Sequence, residues 1–175
     1  HSNGAYAEAI GYYQKALQAG KGEKAFYINR QLGILYYLMG DIDKALLHLS
    51  RALKLSDTLK IPPFHIFPVY LNLGVIYRKE HKFVMGRRIC KEGLKQINNK
   101  DKLKFERGSL LLELGENLYY SGDFDNAIKV LTEAGELLYG SVKVAIALGL
   151  LYYKAGDLEK SLAMFQEALE KEELE

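Results

Sequence analysis

Apolar residues recur at spacings of three and four along almost the whole chain, with polar residues between them. That spacing predicts a succession of amphipathic helices. The pattern also restarts. Leu32-Gly33, Leu73-Gly74, Leu114-Gly115 and Leu148-Gly149 are four equivalent anchors, their glycines 41, 41 and 34 residues apart. Recurrence at a fixed interval of this size predicts a stacked repeat architecture, in which each unit buries its apolar face only against its neighbours.

The first full segment reads Leu32-Gly33, Tyr36-Tyr37, Gly40-Asp41, Ala45, Leu49 and Ala52-Leu53. The last repeats it without gaps as Leu148-Gly149, Tyr152-Tyr153, Gly156-Asp157, Ser161-Leu162, Phe165 and Ala168-Leu169. The third gives Leu114-Gly115, Leu118-Tyr119, Gly122-Asp123, Ala127-Ile128, Leu131 and Ala134. Gly40, Gly122 and Gly156 suit a left-handed helix end, and the Asp after each suits the N-cap of the next helix. The anchor glycines cost about 1 kcal/mol each inside a helix relative to Ala. A close approach of the second helix would offset that, with Ala45, Ala127 and Ser161 as the matching small surface. The segment from Phe67 departs from the pattern. His81-Lys82 replaces Gly-Asp, and Gly86 and Gly93 take the alanine positions, so it is expected to be the least stable.

These residues resemble the tetratricopeptide repeat, a pair of antiparallel helices, over nearly the whole chain. The resemblance implies an all-α fold, a right-handed solenoid of about nine helices forming one array over residues 1–175. Its parts would be a lone second-type helix at 4–20 and four repeats at 26–57, 67–98, 108–140 and 142–175. No polar capping helix follows the fourth repeat, so the chain is expected to be a piece of a longer array. His1-Ser2 and Leu174-Glu175 are set aside as vector-like ends. The two long connections carry Ile61-Pro62-Pro63-Phe64-His65-Ile66-Phe67, expected as a satellite apolar cluster before a helix starting at Pro68, and Asn98 to Arg107, expected to begin the next helix near Asp101.

Charge alters the picture more than composition does. Residues 78–104 carry a net +7, residues 105–175 a net −8 and residues 1–77 a net +3. Arg87, Arg88, Lys91 and Lys95 form a candidate anion patch, although a solvated outer face is the plainer reading. Nucleic acid is disfavoured, because no base-stacking platform accompanies the patch. No apolar run is long enough for a membrane span. The single Cys90 falls at a core position, which favours a reduced, cytoplasmic setting.

Candidate chemistry is absent. The four histidines have no metal-ligand spacing, no glycine-rich phosphate loop is present, and no Ser or Cys has a neighbouring base. The expectation is a chain that is not an enzyme and takes no cofactor or metal.

In arrays that this chain resembles, the first helices of the pairs line a groove. Its residues here would be Tyr27, Arg30, Gln31, Ile34, Tyr37 and Leu38; Leu71, Asn72, Val75, Arg78 and Lys79; Ser109, Leu112, Glu113, Glu116, Tyr119 and Tyr120; then Lys143, Ile146, Ala147, Leu150, Tyr153 and Lys154. Tyr36, Tyr77 and Tyr152 are expected in the core. Arg30, Asn72 and Arg78 could grip a peptide backbone or carboxylate. A clamp for an acidic C-terminal tail, known in relatives of this kind, is not expected, because Glu113 stands at one of its cationic positions. The implied function is a protein-interaction scaffold for a partner peptide or helix. The alternatives are the ligand-sensing part of a signalling or transcription regulator, and a self-assembling scaffold forming a homo-oligomer.

Overall fold

The computed structural model describes residues 2–97 and 102–172. Asn98, Asp101 and Leu174-Glu175 lie outside the described residues, and with them part of the second long connection. Among the described residues there are nine helices and no strands: α1 (Ser2–Ala19), α2 (Glu23–Leu38), α3 (Ile42–Leu59), α4 (Pro63–Lys79), α5 (Phe83–Gln96), α6 (Lys104–Tyr120), α7 (Phe124–Leu137), α8 (Val142–Lys154) and α9 (Leu158–Glu172). The chain forms two compact units, residues 1–76 and 77–175, with the boundary inside α4. None of the described helices is long and apolar enough to cross a membrane.

Four helix ends are built alike. Asp41, Lys82, Asp123 and Asp157 each donate their backbone N–H to the carbonyl five residues back, and the residue before each donates three back. This closes the helix through one left-handed residue. Gly40, Gly122 and Gly156 take that conformation with φ of 80–81°. In the second pair His81 adopts it instead, with φ 56°. Asp41 and Asp157 cap the next helix by accepting the N–H of Lys44 and Lys160. Asp123 does not cap in this way: its carboxylate accepts from the Asn126 side chain.

Within the first unit, α2 and α3 pack antiparallel around Phe26, Leu32, Tyr36, Leu49 and Ala52, all buried. A Cβ at Gly33 would lie 2.5 Å from Cγ of Leu49. The equivalent contacts in the second unit are Gly115 to Leu131 and Gly149 to Phe165. The close approach expected at these glycines is present, but the leucine or phenylalanine one turn after the small residue fills it. Only Ser161 also reaches its anchor, donating to the Gly149 carbonyl at 2.9 Å.

Helix α4 starts at Pro63, not Pro68. The first proline occupies a first-turn position whose N–H has no helical partner. Pro68 lies in the second turn, and its carbonyl accepts Nδ2 of Asn72 at 2.6 Å. Ile61 and Ile66 are buried as the apolar connection predicts, whereas Phe64 is exposed. Helix α6 begins at Lys104.

A buried polar cluster in the first unit centres on His48. Its Nδ1 donates to Oδ1 of Asn29 at 2.9 Å, and its ring stacks on Tyr36, whose hydroxyl accepts from Gln14. Burial, helped by nearby Arg51, holds the imidazole pKa below its ordinary value of 6.5. The unfolded chain therefore binds this proton more readily than the folded one. Stability contributed by neutral His48 is present above 6.5 and is lost progressively as the pH falls from there through the lower folded-state value. Thermal denaturation should show the melting temperature dropping below 6.5, and His48→Gln should flatten that part of the profile. An unchanged profile in the variant would contradict the assignment.

The second unit buries a continuous core of Cys90, Leu111, Leu114, Leu118, Ala127, Leu131, Ala134, Val144, Leu148 and Leu151. Burial pushes the Cys90 thiol far above its ordinary pKa, so it acts as a small apolar residue.

Candidate functional site

Helices α6 and α8 form one layer of the second unit, and α5, α7 and α9 the other. The α6/α8 face carries a pocket of about 170 Å³. Glu116, Tyr119 and Tyr120 wall it from α6, Lys143, Ile146, Ala147 and Leu150 wall it from α8, and Leu131 of α7 lies at its floor. Ile146 and Leu150 are each 42% exposed, and Tyr153 extends the stripe one turn further. Spacings of three and four put these residues on one side of α8. Ser141 starts that helix by accepting the Val144 N–H.

The two tyrosines are held in place before anything binds. Tyr119 meets Tyr120 edge-on at 5.1 Å between centroids and lies 5.8 Å from Phe124. Tyr120, 55% exposed, stacks on Phe83 at 6.0 Å, with the Arg78 guanidinium 5.9 Å from its ring. A rigid aromatic surface with a hydroxyl loses little entropy on binding.

Beneath this rim runs a buried ionic cluster. Nε of Arg78 donates to Oε1 of Glu113 at 2.7 Å, and Nη2 donates to Oε2 of Glu113 at 3.1 Å. The same Nη2 lies 2.7 Å from Oε2 of Glu116. The Arg78 and Glu113 side chains are only 14% and 5% exposed. Asn117, fully buried, donates Nδ2 to the Glu113 carboxylate and to its backbone carbonyl. Burial raises the Glu113 pKa above the usual carboxylate range, and the hydrogen bond from Arg78 opposes that without cancelling it. Gly86 of α5 leaves the room that Asn117 occupies: a Cβ there would overlap its Oδ1.

The sequence-predicted residues divide accordingly. Glu116, Tyr119 and Tyr120 meet at the pocket, and Tyr153 lies exposed beyond it. Arg78 and Glu113 do not present themselves for a ligand, since they neutralise each other below the surface. Lys79 is exposed at the end of α4. In the first unit, Gln31, Ile34, Tyr37, Asn72 and Val75 are half-buried. Arg30 donates Nη1 to the His65 carbonyl at 3.3 Å and lies over Tyr27, while its buried Nε has no partner. One donor of Asn72 is already spent on its own helix. Arg87 reaches toward Asp123 at 3.7 Å, and Arg88 pairs with Glu92 on its own helix. Lys91 and Lys95 are exposed. Tyr36 is buried as expected, but Tyr77 and Tyr152 are only half-buried.

Comparisons with known proteins agree with this construction. The model of the tetratricopeptide repeat family matches residues 112–173. A TPR repeat-containing protein of Methanocaldococcus jannaschii is 24% identical over 204 aligned residues, covering 95% of this chain and 36% of that protein. The chain thus spans about a third of the length of the curated relative it matches. The crystal structure of BtubC from P. vanneervenii superposes with a TM-score of 0.89 at 22% identity, over 99% of this chain and 75% of that one. MamA from Desulfovibrio magneticus RS-1 gives 0.76 at 18% identity, over 98% and 88%. At these identities the structural likeness is one of fold.

Proposed function

We propose that this chain, a tetratricopeptide-repeat domain with the fold of an all-α solenoid of helix pairs, is a protein-interaction scaffold whose α6/α8 face receives a peptide or helix of a partner protein. In this reading the chain carries repeats at 26–57, 67–98, 108–140 and 142–175, with a further second-type helix at 4–20. It works in the cytoplasm, where Cys90 stays reduced, and it performs no chemistry of its own. The pocket between Tyr119, Tyr120, Ile146 and Leu150 carries the proposal. It holds room for one bulky apolar side chain, exposed apolar walls to bury with it, and Glu116 and Lys143 at its edge to fix register. An anchor side chain in a pocket ringed by such contacts is the usual source of affinity at an interface.

The test uses peptides selected from a displayed random library on the wild-type domain. Ile146→Asp/Leu150→Asp changes two exposed residues and should leave helicity and melting temperature unchanged. Selected peptides should carry a bulky apolar residue and bind this variant at least about tenfold more weakly. Equal affinity for both proteins would move the site off this face.

A further inference from the structure

The opposite face of the same unit carries a second pattern. Helices α5, α7 and α9 are register-equivalent, and each turns one stripe of four exposed residues to solvent. On α5 the stripe is Val84, Arg88, Lys91 and Lys95; on α7 it is Asp125, Lys129, Thr132 and Glu136; on α9 it is Glu159, Ala163, Gln166 and Glu170. Their formal charges are +3, −1 and −2, graded across the face from one edge to the other. Lys91, Lys95 and Glu170 have no ion-pair partner among the described residues.

A face positive at one edge and negative at the other is complementary to itself when rotated by half a turn about the middle helix. The two-fold operation places α5 of each copy against α9 of the other, with α7 on the axis. That is an isologous contact, the commonest kind in symmetric assemblies. Apolar surface begins in the stripe at Val84 and continues on the flanks of the outer helices. Val84 and Met85 are exposed on α5, and Leu158, Leu162 and Leu169 on α9. Between α7 and α9 lies an open cleft of about 400 Å³, walled by Leu148, Tyr152 and Met164 and rimmed by Thr132, Glu136 and Ala163 of the two stripes. The charges set which helix faces which, and the apolar residues supply area to bury.

We propose that this outer face of residues 77–175 pairs with the same face of a second copy, its helices in reversed order, through α5 against α9. It is independent of the α6/α8 pocket, which stays open in the pair.

Charge reversal gives a test that distinguishes this contact from any other. Mass in solution is measured by sedimentation across micromolar concentrations at low and high salt. The wild type should dimerise, and more weakly at high salt. Lys91→Glu/Lys95→Glu and Glu159→Lys/Glu170→Lys should each weaken self-association at least about tenfold, by setting like charges opposite each other. Mixed in equal amounts, these two variants should pair with each other, because each now carries the charge that the other lacks. The variant with all four changes should recover the homodimer. A wild type that stays monomeric at every concentration would overturn the proposal and leave the basic stripe to an acidic partner of another kind. Dimerisation indifferent to the reversals, or reversed variants that fail to pair, would overturn it as well.

Discussion

Replacing Arg78 with methionine is expected to destabilise the second unit by about 3–5 kcal/mol, the usual cost of stranding one member of a buried ion pair. The guanidinium supplies two hydrogen bonds to Glu113, and that carboxylate is 5% exposed. Methionine fills much of the same space and donates nothing. Glu113 would then have only the Asn117 amide to support its charge. Its pKa, already raised by burial, would rise further. A carboxyl whose pKa is higher in the folded state takes up its proton there first, so the loss should shrink as the pH falls. Urea denaturation of Arg78→Met at neutral and acidic pH measures both effects. Adding Glu113→Gln should restore most of the lost stability, because the removed charge no longer needs a partner. A single variant as stable as wild type at neutral pH would show that the pair is more hydrated than its burial indicates.

A second prediction concerns Gly86 and reverses sign with its neighbour. In an ordinary helix, Gly→Ala stabilises by about 1 kcal/mol. At position 86 the new methyl would overlap Oδ1 of Asn117, whose side chain is fully buried and tied to Glu113. Overpacking of this kind costs about 1–3 kcal/mol. Gly86→Ala should therefore destabilise the wild type. In an Asn117→Ala background the methyl meets open space, and the same substitution should stabilise. A double-mutant cycle by chemical denaturation measures the coupling. Additive effects would mean that Gly86 is not there to admit Asn117.

The periodic parts of the fold were legible in the sequence for physical reasons. Gly40, Gly122 and Gly156 stand where a left-handed residue is required, and Gly33, Gly115 and Gly149 stand where two helices touch. The partner in that contact was less legible. Small residues on the second helix suggested it, but Leu49, Leu131 and Phe165 reach across from the next turn. Pro63 and Pro68 both suit a helix start, and nothing local separates them. His81 hides a regular turn behind an irregular residue.

At the site, the tyrosine and aliphatic walls of the pocket followed from helical spacing. The fate of Arg78 and Glu113 did not. Both lie on the face that spacing assigns to the groove, 35 residues apart, and only the packing of α6 on the end of α4 brings them together. One signal was available. Gly86 replaces a small core residue just where Asn117 needs space, and an Asn amid apolar positions calls for a partner.

A partner bound on the α6/α8 face is seen most directly by titrating isotope-labelled protein with a selected peptide and following it by nuclear magnetic resonance. The largest shifts should fall on Glu116, Tyr119, Tyr120, Ile146 and Leu150, with α5 and α9 little changed. Shifts concentrated on α5 and α9, with the pocket residues unmoved, would contradict it.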